Sequence, residues 1–386
     1  MAAPAILPAA QLRGAWDDLR AGVSRWRDRL LAAPTFHAWA ARAPLFRLVA
    51  RREARAMFDL CAGFVYSQIL FTVVRLDVLE HLRDGPLPTD TLLGRLPLPA
   101  DGARTLIEGA IALKLLERRS RNRLGLGARG AVLIANEGLR EMILHHELLY
   151  ADLAEPVGLL RGTPAETRLS AYWAYARTAR PAALDETAVD RYSRLMAVSQ
   201  DMVSQAVIGA YDFRRHRRLL DVGGGEGRFV ANVLRAAPRL EANVFDLPAV
   251  AARATQRLEE AGFGARAAGI GGSFLEAVPA LGADVLTLVR VLHDHDDEPV
   301  RCLLGKARAA LPTGGTLVVA EPMIEDAGSD VVSAAYFGMY LTAMRSGRPR
   351  STLEIRQLLA DAGFQRIEVR VAPGPLPLCL AIASVN

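Results

Sequence analysis

The chain is poor in the side chains on which most enzyme chemistry draws. Its 386 residues include three cysteines, seven histidines and only two lysines, Lys114 and Lys306, and aromatics make up 6%. Cys61, Cys302 and Cys379 are far apart and odd in number, so they suggest neither a disulfide framework nor a zinc spacing. The expected compartment is therefore the reducing cytoplasm. The opening MAAPAILPAAQLRGAWDDLR has no basic segment ahead of an apolar core and does not read as a signal peptide. Phe58–Val74 (FDLCAGFVYSQILFTVV) is the best membrane candidate. It is short for a span and carries Asp59, Ser67 and Gln68, so a buried helix is expected. Peripheral contact with the inner membrane is an expectation tied to a lipid-like acceptor.

What is present is an ordinary globular composition. Apolar residues reach 51% and charged residues 23%, which excludes disordered and fibrous classes, and the length suits two domains. With 47 basic and 42 acidic residues the net charge is +5. So modest a surplus over this length is a weak argument for nucleic acid.

The texture changes along the chain. Residues 1–50 are rich in Ala, Arg and Pro, with Trp16, Trp26 and Trp39 in helical stretches. LDVLEHLRDGP, LPTDTLLGRLPLP and ADGARTLIEGAIALKLLERRSRNRLGL follow, with helical Leu and Ile spacing and a hairpin around Ser120–Asn122. That order predicts a winged helix. Residues 131–200 read as mostly helical. From about residue 215 short apolar strands alternate with helices: RLLDVG, ANVFDLP, ADVLTLVRV and TLVVAEP, then a closing pair, QRIEVRVA and LCLAIAS. This predicts a doubly wound α/β domain that ends in a hairpin.

The first strand of that domain runs into Gly223-Gly224-Gly225-Glu226-Gly227. A glycine turn between a strand and a helix lets a ligand approach the backbone. A dinucleotide fingerprint would place a third glycine where Arg228 stands, and the GK[ST] of a P-loop is absent. Asp221-x-Gly223-x-Gly225-x-Gly227 instead puts a carboxylate ahead of the glycines, which suits a cationic ligand and repels a pyrophosphate. Asp246, at the end of the second strand, is placed for two ribose hydroxyls. A cationic adenosine without phosphate is S-adenosylmethionine.

After the strand expected over Val285–Val291 comes Leu292-His293-Asp294-His295-Asp296-Asp297-Glu298. Asp296, Asp297 and Glu298 read as the acidic start of the next helix. No histidine follows residue 295, so a metal shell on His293 and His295 lacks ligands and none is expected. His293 suits a general base beside the methyl donor.

Together these segments resemble the S-adenosylmethionine-dependent O-methyltransferases typified by the plant caffeic acid and isoflavone enzymes. LLDVGGGEGRF resembles their cofactor loop and VLHDHDDE their HDW segment. ALPTGGTLVVAEP resembles the following strand, and SGRPRSTLEIRQLLADAGFQRIEV a carboxyl-terminal stretch. The resemblance covers about residues 50–386 and implies a Rossmann-like methyltransferase domain preceded by a winged-helix dimerisation domain. The implied limits are a helical extension at 1–50, the dimerisation domain at 51–155, a helical connector at 156–200 and the methyltransferase domain at 201–386. It implies a homodimer and no nucleic-acid partner. Five arginines around the wing, Arg118, Arg119, Arg121, Arg123 and Arg129, keep DNA binding as a distant alternative.

The resemblance also implies residue roles. His293 is the base, with Glu321 and Asp294 beside it. Cofactor contacts fall on Asp221, Gly223, Gly225, Gly227, Asp246, Leu247, Gly272, Ser273, Phe274 and Arg290. The acceptor pocket draws on Tyr192, Met196, Met202, Tyr336, Phe337, Met339, Tyr340 and Met344, any one of which could equally be core. There are departures. Ser273 replaces a family Asp, Val289 a Lys, and His295 the Trp of HDW. A second base-orienting glutamate falls on Pro349, so His293 is expected to be held differently, with Asp294 as a candidate. These departures, with GGSF, LVRVLHDHDD, SGRPRS and FDLCAGFVYSQ, resemble a bacterial branch of the family that methylates 1-hydroxycarotenoids of the hydroxyneurosporene and demethylspheroidene type. The implied acceptor is an apolar polyene alcohol. Phenolic or polyketide acceptors, and C-methylation of a bacteriochlorophyll precursor, stay open.

Overall fold

The computed structural model describes residues 9–177, 200–324, 332–374 and 378–386. Tyr192 and Met196 lie outside these residues. The amino-terminal part is helical: α1 (Ala9–Ala32), α2 (Pro34–Arg42) and α3 (Pro44–Arg75), with prolines at the first turns of α2 and α3, where a missing amide hydrogen costs nothing. The winged helix follows. It consists of β1 (Leu87–Pro88), α4 (Thr89–Arg95), α5 (Ala100–Ala112), β2 (Leu116–Arg119) and β3 (Arg123–Leu126), with β3 in the middle of the small sheet. Arg121 and Asn122 both take positive φ in the β2–β3 turn. Val73, Val74, Val78, Leu92, Ile107 and Leu124 are among the buried side chains that form its core.

The expectation of a buried helix over Phe58–Val74 is corrected. These residues belong to the 32-residue α3, of which only the last turns enter the core; Phe58, Leu60 and Phe64 are 67%, 77% and 72% exposed. The apolar run is real, but among the described residues nothing covers its amino-terminal half. The wing arginines also differ from a free phosphate-binding surface. Arg118 pairs with Glu108 and Arg119 with Glu117, Arg123 donates to the Pro86 carbonyl, and Arg129 donates to that of Leu113.

Helices α6 (Ala128–Ile134), α7 (Glu137–Asp152), α8 (Pro156–Leu160) and α9 (Arg168–Arg177) lead to α10 (residues 200–210) and the α/β domain. That domain contains β4 (Arg218–Val222), α11 (Arg228–Ala236), β5 (Glu241–Asp246), α12 (Pro248–Glu260), β6 (Ala267–Gly271) and β7 (Val285–Val289). It continues with α13 (Asp297–Ala310), β8 (Thr316–Glu321), α14 (Phe337–Met344), α15 (Thr352–Asp361), β9 (Gln365–Val371) and β10 (Cys379–Ser384). The sheet order is β6-β5-β4-β7-β8-β10-β9. The first five strands run parallel, and β10 lies antiparallel to both neighbours.

Strands covered on both faces need continuous apolar runs, and every residue of β7 is buried. One face packs under α10, α11 and α12 through residues such as Val207, Phe229 and Leu258. The other packs under α13 and α15 through Leu304, Ile355 and Leu359. The connection from β4 goes to β5 on one side and β7 lies on the other, so the strand order reverses between β4 and β7. At such a switch point ligands bind beyond the carboxyl ends of the strands. The expected strand Val285–Val291 stops two residues early, because Arg290 turns to φ 58° while its amide still donates to Ala320 at 2.9 Å.

Candidate active site

Five chain segments meet at the carboxyl edge of the sheet. After β4, Gly223, Gly225 and Gly227 all take positive φ, which only glycine adopts without strain. A Cβ on Gly223 would sit 2.9 Å from Val291, and one on Gly224 would strike the Asp221 carboxylate. Asp221 is the one charged side chain buried in the parallel strands β4–β7. Its Oδ1 accepts from the Thr287 hydroxyl at 2.6 Å, while Oδ2 is buried without a hydrogen-bond partner. Burial pushes its pKa up to about 7, against the pull of the Thr287 bond. A buried carboxylate oxygen without a partner is costly, and a cationic group beside it removes the cost.

Asp246 ends β5. Its Oδ2 accepts from the Gly225 amide at 2.9 Å and its Oδ1 from Leu247 at 2.7 Å, so each oxygen keeps a free lone pair. Burial raises its pKa against those two amides. Leu247 presents an exposed apolar side chain next to it. After β6 the Gly272 amide donates to the Asp246 carbonyl at 2.9 Å, and a Cβ there would reach the Phe245 ring at 2.6 Å. The Ser273 hydroxyl accepts from the Leu275 amide, and the Phe274 ring packs edge-on against His295 at 5.3 Å. Glycine turn, unsatisfied acid, ribose-type acid and apolar shelf therefore lie along one edge. This donor set fits a cationic adenosine.

His293 sits on a short turn after β7 and is 6% exposed. Glu321, at the end of β8 and buried, holds it. One glutamate oxygen accepts from Val291 N at 2.9 Å and Leu292 N at 2.7 Å, and the other accepts from His293 Nδ1. Asp294 Oδ1 lies 3.3 Å from Nε2. Burial alone would lower the pKa of His293, but the two carboxylates outweigh it and the net direction is upward, with Arg290 opposing them. With Nδ1–H committed to Glu321, Nε2 is the nitrogen that takes a proton. Asp294, the candidate named from the sequence for holding His293, thus lies beside the other ring nitrogen.

Other residues that brace this turn were not assigned roles from the sequence. Arg350 is 3% exposed, and its guanidinium donates to the carbonyls of Leu292 at 2.7 Å and His295 at 2.8 Å and to Asp297. Gly347, at φ 73°, packs so closely that a Cβ would strike the His293 carbonyl, and its amide donates to Asp296 at 3.3 Å. Asp296, Asp297 and Glu298 do start α13 as expected, but Asp297 also pairs with Arg348 and Arg350, which holds its carboxyl down at about 2. The SGRPRS stretch was the visible signal for these contacts.

Most of the residues expected to line an acceptor pocket cluster around α14 and the π-turn Val332–Tyr336 ahead of it. Phe337 stands 6.5 Å from the His293 ring. Tyr336 and Tyr340 meet a pair absent from the expected set: His146 Nε2 lies 2.7 Å from the Tyr336 hydroxyl and His145 Nε2 lies 2.8 Å from that of Tyr340. Burial, and for His145 also its neighbour, lowers both histidines to about 4, so they are neutral. Burial likewise raises the Tyr336 pKa, with Arg290 opposing. Two of seven histidines side by side in α7 were the sequence signal. Met339 is half-buried, and Met344 packs inside a cluster with Leu149, Leu159, Leu169 and Leu341. Met202 is half-buried on α10.

Gly347→Ala is expected to displace the His293 turn. Turnover should fall at least tenfold while the affinity for the methyl donor stays within about twofold, since the glycine loop is untouched. Steady-state kinetics and direct donor binding would separate the two. Wild-type turnover would show that the close approach has no functional weight.

The comparisons with known proteins agree with this geometry. An O-methyltransferase domain family matches residues 150–365, and an O-methyltransferase dimerisation domain matches residues 58–131. Demethylspheroidene O-methyltransferase of Cereibacter sphaeroides is 43% identical over 92% of this chain and 93% of its own length. The protein of the same name from Rhodobacter capsulatus is 40% identical over 88% of this chain and 84% of its own. Among solved structures, the S-adenosylmethionine-dependent methyltransferase SibL superimposes with a TM-score of 0.74 at 25% identity, covering 86% of this chain and 99% of the other. The chain belongs to the S-adenosylmethionine-dependent O-methyltransferases that carry an amino-terminal dimerisation domain.

Proposed function

We propose that this protein transfers a methyl group from S-adenosylmethionine to the C1 tertiary hydroxyl of an acyclic hydroxycarotenoid of the hydroxyneurosporene or demethylspheroidene type, working as a homodimer. The observation that carries this reading is the 43% identity along nearly the full length of a demethylspheroidene O-methyltransferase. The buried His293–Glu321 pair beside an aromatic acceptor wall supports it.

Asp221 would face the cationic end of the donor, Asp246 its ribose hydroxyls, and Leu247 and Phe274 its base. When bound, the donor would supply an electrophilic methyl group on a sulfonium, whose carbon–sulfur bond breaks to leave a neutral thioether. A phenol has a pKa of about 10, and an aliphatic tertiary alcohol is far less acidic, so a free alkoxide is not a realistic intermediate. The hydroxyl proton then passes to Nε2 of His293 as the oxygen forms its new bond. Glu321 stabilises the imidazolium through Nδ1–H, and Asp294 stabilises it from the other side. Alignment of the acceptor by the fixed turn supplies much of the rate, because holding reactants in an attacking geometry removes most of the entropic barrier. The tyrosine hydroxyls of the acceptor wall are already engaged by His145 and His146, which leaves an aromatic, largely apolar surface for a polyene.

His293→Ala should lower kcat by about 10²–10⁴-fold, the usual range for a lost general base. A loss below about tenfold would mean that alignment alone carries the reaction. Donor affinity should tighten as pH rises from about 6 to 7.5, through the pKa near 7 of Asp221 and below the range in which the donor's own amino group titrates. The sign follows from charge: protonated Asp221 gives a cation nothing, and ionised Asp221 attracts it. Asp221→Asn should weaken binding and flatten that dependence in equilibrium dialysis; an unchanged profile would show that the carboxylate does not face the donor. Comparing turnover on a 1-hydroxylated polyene and on a small phenol tests the acceptor, and preference for the phenol would overturn the proposal.

A further inference from the structure

The positive charge of this chain is not spread evenly. Residues 1–57 contain ten arginines and four carboxylates, a surplus of six, while the whole chain has a surplus of five. Everything after residue 57 is therefore close to neutral. Elsewhere many arginines are consumed in ion pairs, as in Arg228–Asp201, Arg253–Glu226, Arg350–Asp297 and Arg370–Glu368. In the amino-terminal helices Arg42, Arg47, Arg51 and Arg52 are exposed and make no ion pair among the described residues.

The same segment exposes large apolar side chains. Trp26, Trp39, Phe46, Leu48 and Val49 are 65%, 52%, 44%, 73% and 58% exposed. Phe36, Trp39 and Phe46 stack across α2 and α3 with ring centres 5.8 and 5.1 Å apart, which fixes an aromatic ridge between the helices. Three of the four tryptophans of the chain lie in these 57 residues. The matched dimerisation domain begins at residue 58, so α1, α2 and the first turns of α3 lie ahead of it. Two such surfaces facing each other would also bring Arg42, Arg47, Arg51 and Arg52 of one copy against the same four of the other.

We infer that α1, α2 and the first half of α3 form a docking surface for an anionic lipid bilayer, with the aromatic ridge entering the headgroup region and the arginines meeting lipid phosphates. Helices that combine Arg with Trp, Phe and Leu lie in the plane of that interface. The segment Phe46–Arg75 is long and apolar enough to cross a membrane by length and composition, but its geometry argues that it lies on the surface. Arg47, Arg51, Arg52, Glu53, Arg55 and Asp59 are in its first half, and Val73 and Val74 are locked into the winged-helix core. The inference does not depend on which acceptor is methylated, since it rests on charge and exposure outside the active site.

The test is cosedimentation of the full-length protein with vesicles of phosphatidylcholine alone or with about one-third phosphatidylglycerol. Wild type should bind the anionic vesicles at least roughly tenfold more tightly than the neutral ones, and about 0.5 M salt should release it. Combined Arg47→Glu, Arg51→Glu and Arg52→Glu should cost at least roughly tenfold of that binding, and Trp26→Ser with Trp39→Ser should weaken it without altering its salt dependence. Unchanged donor affinity and dimer mass would show that each variant is folded. Equal binding to both vesicle types, no binding to either, or wild-type binding by the charge-reversed variant would overturn the inference. So would a switch of oligomeric state in the variants with no vesicle binding by wild type, which would make the surface a contact between copies. Salt-sensitive binding to random duplex DNA without vesicle binding would assign it to nucleic acid instead.

Discussion

The site depends on one buried carboxylate. Glu321 gathers two backbone amides with one oxygen and the His293 ring with the other, so the same group shapes the turn after β7 and sets the state of the base. Burying a carboxylate is costly unless it is hydrogen-bonded, and here three donors offset that cost. Because Glu321 ends β8 and His293 follows β7, the parallel pairing of these strands fixes the His293–Glu321 contact. Arg350 and Gly347 then clamp the turn from outside. The chemistry is thus built from sheet register first and side-chain identity second.

Charge is divided cleanly between the two reactants. The donor edge carries Asp221 and Asp246, both with raised pKa values from burial, and Asp221 has an oxygen with no partner of its own. His293 has two carboxylates around it, which favour its protonated form. The acceptor side is different: its histidines are neutral and committed to tyrosine hydroxyls. On the proposed reading, a cation is drawn to one edge, a proton is received in the middle, and an uncharged acceptor meets an uncharged wall.

Much of this was legible in the sequence for physical reasons. Doubly covered strands must be continuously apolar, so RLLDV and VLTLV announced themselves. A glycine turn preceded by an acid carries its ligand preference in seven residues, Asp221 to Gly227. His293 stood out because histidines are few. What was not legible depends on contacts between distant segments. Arg350 reaches Leu292 across 58 residues, and no local pattern encodes that bond. The early end of β7 follows from the positive φ of Arg290, which residue type disfavours. Phe58–Val74 was misread as buried because apolar composition says that a face needs cover, not that the same chain supplies it. The histidine doublet on α7 was visible, but its partners lie nearly two hundred residues away.

The central claim is that Glu321 and Asp294 make His293 a stronger base than a free imidazole. The most direct measurement is the pH dependence of kcat/KM for the acceptor at saturating methyl donor, since that ratio reports the base before the acceptor binds. Activity requires the neutral ring, so it should fall as pH drops through the raised pKa, with an acidic limb centred above the ordinary value of 6.5. In Glu321→Gln the limb should move to lower pH along with a loss of rate. A wild-type limb at or below 6.5, or a limb that does not move in Glu321→Gln, would contradict the account.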